Sequence, residues 1–280
     1  MAAAIEKVNK AKADGLLLDF SQNGGGRLEE AVRIAGLFFK TGNVVATKDS
    51  HKEVQMLDDD DAKIQYSGPM AILISRLSAS ASEIVAGPLQ DYKRALIVGG
   101  DHTYGKGSVQ AVIDLQNNFG AIKVTTGLFY IPGGRSTQHR GVVSDVPMPS
   151  IFSTNDIGEK YLDYSLQPDA IPSFLSTTAY DPSWKPVIKE QVEKLRVASA
   201  ARIAKSKEFA DIKKDIKEME DRKGVIKLAE LRKKDKETKK KENKNKKKAF
   251  KEIAKEKNMP QINEGLNILA DYIMLQKTSK

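Results

Sequence analysis

Residues 70–100 read MAILISRLSASASEIVAGPLQDYKRALIVGG. MAILIS and ALIVGG are apolar runs of strand length without polar alternation, and SASEIVAGPLQDYK between them has the length and residues of a helix. Strands that do not alternate are buried on both faces, the habit of parallel sheets, and strand–helix–strand with short connections joins parallel neighbours. Upstream, GLLLDF (15–20) is a further run of this kind. A glycine turn, Asn23-Gly24-Gly25-Gly26, then opens RLEEAVRIAGLFFK, in which Leu28, Val32, Ile34, Leu37 and Phe38 make a helical stripe. NVVATK is a strand, and HKEVQMLDDDDAKIQYSG (51–68) alternates weakly, as an exposed ribbon or loop does, with Asp58 to Asp61 as an exposed turn. Downstream, SVQAVIDL and GAIKVTTGLFYIPGG are β-rich. The fold class is α/β, a parallel-strand core with crossover helices plus a β segment and a C-terminal helical extension.

The chain has 280 residues, 40% hydrophobic and 30% charged, enough apolar material for one substantial core plus a more polar part. Cysteine is absent, and the three histidines, His51, His102 and His139, have no zinc-ligand spacing. No metal or cofactor is expected. No run approaches 18 apolar residues, so no transmembrane segment is expected, and the N-terminus has no apolar signal core. The formal charge of +9 is uneven: residues 201–258 hold 23 basic and 12 acidic side chains, and the rest is close to neutral. Interspersed glutamates and only two aromatics, Phe209 and Phe250, make that stretch a solvated helical arm rather than a nucleic-acid surface. The closing segment INEGLNILADYIMLQ is amphipathic, and its Leu266, Ile268, Leu269, Tyr272, Ile273 and Leu275 need a surface to cover.

Two segments at strand ends carry chemistry. Gly100 to Lys106 fits a phosphate-binding G-x-x-x-x-G-K, but Gly107 stands where Ser or Thr would hold magnesium, and a strand pattern follows instead of a helix. In SRLSASASEI, Ser78, Ser80 and Ser82 sit between a buried strand and a helix, at the sheet edge where active sites collect, with free helix N–H groups able to hold an oxyanion. At least one of the three is an N-cap. His102 is the histidine closest in sequence, and no G-x-S-x-G elbow accompanies the serines, so a Ser-His-Asp triad has little support; His102 reads as a loop residue. A lysine desolvated in an apolar cleft can instead accept a hydroxyl proton. Lys106, in the loop after the next strand, reaches the same edge, and Gln110, four residues on, can orient its amine.

GLLLDFSQNGGG, SASASEI, QDYKRALIVGG, TYGKGSVQ and GGRSTQHRGVVSDVPMP occur in the order found in the C-terminal processing peptidases, and residues 5 to 150 resemble the bacterial tail-specific protease branch. The Lys-rich helices are similar to that branch's helical extension. The resemblance implies a protease body of the ClpP/crotonase-like kind, with Ser80 as nucleophile, Lys106 as general base and Gln110 positioning it. It implies oxyanion donors at the N–H of Ala81 and of Gly25 or Gly26, and a structural role for Asp91. It also implies substrates that are unfolded or tagged proteins with apolar C-termini, an adaptor lipoprotein as partner, and the periplasm or cell envelope as location. Three departures stand out: Ser21 where the family has arginine, a loop one residue longer before Lys106, and Pro88 inside the helix, where it should kink it.

The expected organisation is a catalytic core at 1–150, lacking the family's N-terminal part and PDZ domain, a linker at 151–184 and a helical extension at 185–280, with Trp184 anchoring the extension on the body. The expected activity is a Ser-Lys serine endopeptidase. The alternatives are a catalytically incompetent fragment and a non-enzymatic binder using the basic arm 201–258.

Overall fold

The computed structural model describes residues 1–59, 61–221 and 250–278. Helix α1 (Ala2–Lys10) precedes β1 (Leu16–Asp19), α2 (Leu28–Gly36), β2 (Gly42–Asp49), β3 (Val54–Asp59) and β4 (Met70–Ile74). Then come α3 (Ala81–Asp91), β5 (Leu96–Gly99), β6 (Ser108–Asp114), β7 (Ala121–Tyr130) and β8 (Val146–Pro147). Helices α4 (Lys189–Lys205), α5 (Lys207–Asp221) and α6 (Phe250–Thr278) follow.

The apolar runs form one parallel sheet in the order β1-β4-β5-β8, with Leu18 opposite Ile72 and Ile72 opposite Ile97. Side chains of a strand alternate between faces, and here each face has its own core. Met70, Ile72, Ile74 and Ile97 meet Ala31 and Ala35 of α2, Ile84, Val85 and Leu89 of α3, and Phe38, Val45 and Phe129. Ala71, Leu73, Leu96 and Val98 meet the C-terminal helices through Leu195, Phe209, Ile268, Leu269 and Tyr272. This double burial is why MAILIS and ALIVGG carry no polar alternation. GLLLDF departs from the expectation of burial on both faces: β1 is the sheet's edge, so Leu16 and Leu17 are only partly covered and Asp19 is exposed.

The other strands pair as a separate antiparallel sheet in the order β3-β2-β7-β6. Residues 54–59 are a strand of it, with Val54 and Met56 exposed. The exposed turn expected at Asp58 to Asp61 is thereby corrected, because Asp58 and Asp59 pair with Asn43 and Gly42. Asp60 lies outside the described residues.

The amphipathic stripe of α6 covers the outer face of the parallel sheet, but Leu266 does not take part and is 49% exposed. It sits one residue, about 100° of helical turn, from Gly265, which faces Leu17 and Val98. Trp184 is buried, with the Arg94 guanidinium 5.4 Å from its ring centroid and Tyr180 edge-on at 5.2 Å. Its reading as an anchor agrees with this placement. Arg94 is fully buried and donates to the carbonyls of Phe38, Tyr66 and Gly68. The Lys/Glu-rich stretch 222–249, about half of the basic arm, lies outside the described residues.

Candidate active site

The chain leaves β4, turns through residues 75–79 and enters α3 at Ser80. Ser78 and Ser82 are spent on structure: Ser78 Oγ donates to the Phe20 carbonyl at 2.7 Å and Ser82 Oγ to the Asn23 carbonyl at 2.9 Å. Both tie the serine turn to the end of β1 and the glycine turn after it. Ser80, the N-cap, has φ 55° and ψ −111°, a left-handed backbone that serine adopts only under tertiary constraint. Ala81 follows as the first helical residue, whose N–H has no helical acceptor and is free for an oxyanion. Helix α3 continues through Pro88 to Asp91.

The glycine turn lies directly against this serine. A Cβ on Gly25, which has φ +115°, would stand 2.9 Å from the Ala79 carbonyl oxygen and 3.0 Å from Ser80 Cβ, so no side chain fits there. The Gly25 N–H already donates to Asn23 Oδ1 at 2.9 Å, whereas Gly26 lines the same cleft as Ser80. Of the two glycines expected as oxyanion donors, Gly26 is the one that lines the cleft.

That cleft, about 530 Å³, is lined by Ser80, Lys106, Gln110 and Gly26, with Leu28, Ile84, Val109 and Phe129 as apolar wall and Arg27, Glu29 and Lys123 among the charged residues. The structure thus brings the expected nucleophile, base and glutamine to one space. Gln110 is exposed and its amide donates to Thr125 Oγ1 at 3.5 Å; the Lys106 amine donates to Ser108. A β-bulge between Val109 and Gln110 changes the strand's pairing register at this point.

Lys106 sits on a fully tied loop. Gly105 N–H and Lys106 N–H donate to Glu83, and Gly107 N–H to Gln138 Oε1. The three carbonyls accept from His139 N–H, Thr137 Oγ1 and Phe129 N–H respectively. Six backbone groups with six partners hold this segment rigidly although it is a loop. Burial pushes the Lys106 amine below the usual lysine range; Lys123 acts in the same direction, and Glu159 and Glu83 oppose it.

Glu83 is the residue the sequence reading missed. It is completely buried and accepts from Ser80 N–H, Gly105 N–H, Lys106 N–H and Thr103 Oγ1. Burial raises its carboxyl to about 7, against these four donors. The signal was available as the spacing Ser80-x-x-Glu83, a helix capping box. His102 is tied to the carbonyl of Thr103 and lies 3.5 Å from Asp101, and it does not line the cleft. Asp91 is structural: its carboxylate holds Gly133 N–H and Arg135. Ser21, at the arginine position of the resemblance, is buried, donates to Asp19 and accepts from the Asn258 amide of α6 at 2.6 Å.

Residues 1–148 match the family described as peptidase family S41, and residues 152–274 match the C-terminal domain of tail specific protease. The tail-specific protease of Haemophilus influenzae is 34% identical over 98% of this chain and 42% of its own length. The carboxy-terminal-processing protease of Bartonella bacilliformis is 38% identical over 54% of this chain and 36% of its own. A solved photosystem II D1 C-terminal processing protease superposes with a TM-score of 0.48 at 30% identity, covering 56% of this chain and 43% of that one. The chain spans less than half the length of these relatives. The S41 match takes in more than half of the chain and contains both the serine turn and the lysine loop, and the chain belongs to peptidase family S41.

Proposed function

We propose that this chain carries the catalytic apparatus of a serine endopeptidase that works through Ser80 and Lys106. The observation that carries the reading is the single cleft in which a serine held at positive φ on a helix N-terminus meets a desolvated lysine on a fully bonded loop. Ser80 Oγ attacks the scissile carbonyl as its proton passes to neutral Lys106 Nζ. The oxyanion is held by the N–H groups of Ala81 and Gly26. The C–N bond then breaks as the leaving amine takes the proton from Lys106; a water next gives a proton to the neutral Lys106 amine as it adds to the acyl carbonyl, and that proton returns to Ser80 Oγ when the acid is released. None of these steps calls on a metal or cofactor.

The cleft's apolar wall of Leu28, Ile84, Val109 and Phe129 suits an extended peptide with apolar side chains. Selection of unfolded or tagged proteins by apolar C-termini, an adaptor lipoprotein and a periplasmic or envelope location belong to the same proposal, as implied by the family resemblance of the sequence. No helix among the described residues is long and apolar enough to cross a membrane. The expected division into a catalytic core to residue 150, a linker to 184 and a helical extension is likewise proposed.

The test is mass-spectrometric detection of cleavage of an unfolded reporter with an apolar C-terminus, by this chain and by its Ser80→Ala and Lys106→Ala variants. Cleavage lost in both variants supports the dyad. Cleavage that survives Ser80→Ala overturns it.

A further inference from the structure

The Lys106 amine meets two oxygens of one residue. Nζ donates to Ser108 Oγ at 2.8 Å and to the Ser108 carbonyl at 3.1 Å. Among the described residues no carboxylate lies within ion-pair distance of Nζ, so its neighbours are neutral acceptors rather than a counter-ion. The charged groups around it are Glu83, whose oxygens are taken by the donors named above, Glu159, and Lys123 across the cleft.

A neutral amine has two N–H bonds and one lone pair in tetrahedral array. With both N–H bonds taken by Ser108, the lone pair is the one direction left, in a cleft whose other reactive side chain is Ser80. Ser108 is itself well held. It is buried, opens β6 opposite Leu128, and follows Gly107, where a Cβ would stand 2.4 Å from Ser136 Oγ and 2.7 Å from Gln138 N.

We propose that Ser108 is the positioning residue of the general base: its hydroxyl and carbonyl hold the two N–H bonds of neutral Lys106 and so aim the lone pair at the Ser80 hydroxyl. The proposal rests on the Ser80–Lys106 reading above. It adds Ser108 to Gln110, whose amide donates to Thr125 Oγ1 at 3.5 Å, among the residues that would orient the amine. Ser108→Ala removes one of the two acceptors and keeps the backbone one, so the lysine stays in the cleft with its direction loosened.

The experiment uses a fluorophosphonate, which phosphonylates a serine oxygen with loss of fluoride when the hydroxyl proton is taken up. The second-order labelling rate is measured on the whole chain, with the labelled serine located by peptide mass spectrometry. Expected are labelling at Ser80, its loss in Lys106→Ala, a rate about 10- to 100-fold lower in Ser108→Ala, and recovery to within a few-fold in Ser108→Thr, which restores the hydroxyl. If Ser108→Ala does not fold, Ser108→Cys, with a weak acceptor in the same space, takes its place and is expected to label slowly. Ser108→Ala labelling at the wild-type rate, or Ser108→Thr remaining as slow as Ser108→Ala in folded protein, overturns the role of Ser108 while the dyad stands. Wild-type chain that labels at Ser80 no faster than Lys106→Ala overturns the dyad and, with it, this proposal.

Discussion

Ser80 and Lys106 donate their backbone N–H groups to the same atom, Glu83 Oε2, at 2.8 and 2.9 Å. One buried carboxylate therefore sets the separation of the two backbones that the proposed chemistry uses, while its other oxygen holds Thr103 and Gly105. Glu83→Gln replaces one oxygen by an NH₂ group. In either orientation of the amide a donor then faces at least one backbone N–H with no acceptor, a loss of about 1–3 kcal/mol for each buried group. We expect the melting temperature to fall by about 5–10 °C and cleavage by about 10²-fold. The native carboxyl, raised to about 7, keeps its proton between the ordinary value of 4.5 and that point, while the unfolded chain has lost it. The stability owed to this group therefore falls as pH rises through about 7, and the variant lacks that slope. Thermal unfolding across that range, alongside reporter cleavage, checks both; a variant with wild-type activity removes Glu83 from the positioning of the pair.

Gly25 stands against the serine with no room for a methyl group and with a backbone that alanine resists. Gly25→Ala must move either the glycine turn or Ser80 itself. Expected is a loss of roughly 10²-fold in cleavage with a stability cost of about 1–3 kcal/mol. At Gly24 a Cβ meets nothing within 4 Å, so Gly24→Ala is expected to melt with the wild type. Equal thermal and kinetic behaviour of the two variants would show that the turn does not bear on Ser80.

Much of this arrangement was legible in the residues. MAILIS and ALIVGG are apolar throughout because both faces of β4 and β5 are buried, and local pattern carries that fact directly. The exposure of β1 is not local information: GLLLDF reads like the others, and only the strand order puts it at the edge. The joining of β2 to β7, some eighty residues apart, is invisible to periodicity for the same reason. At the site, Ser80 and Lys106 were legible as strand-end residues of the right chemistry. The ties of Glu83 to Gly105 and Lys106, more than twenty residues onward, and of Gln138 to Gly107, are tertiary contacts that no spacing rule announces.

The outer face of the parallel sheet depends on the C-terminal helices. Ile268 is fully buried there, and Ile268→Ala is expected to cost about 2–5 kcal/mol. Trp184 is the chain's single tryptophan and lies against Arg94 of the body, so its emission reports how the extension is seated. In denaturant, Ile268→Ala should shift the midpoint of tryptophan emission and that of far-ultraviolet circular dichroism together. Separation of the two midpoints would mean that the helices leave the sheet before the body unfolds.

Lys106 gives the sharpest pH signature. Burial lowers its basicity from the ordinary 10.5, so between the lowered native value and 10.5 the unfolded chain holds a proton that the native chain has released. Stability contributed by this group is therefore gained as pH rises through that window, and below it the native state bears the cost of a charged amine in a half-dry cleft. Activity moves in the same direction, since the neutral amine is the proposed base. Lys106→Met keeps most of the side chain's volume without its charge. At neutral pH it should melt above the wild type while failing to acylate Ser80, and the gap should close as pH approaches 10.5. Circular-dichroism melts of both proteins across this range decide the matter: coincident melting at every pH would mean that the amine is fully solvated in the native state, and that a lowered lysine basicity is not what makes Ser80 a nucleophile.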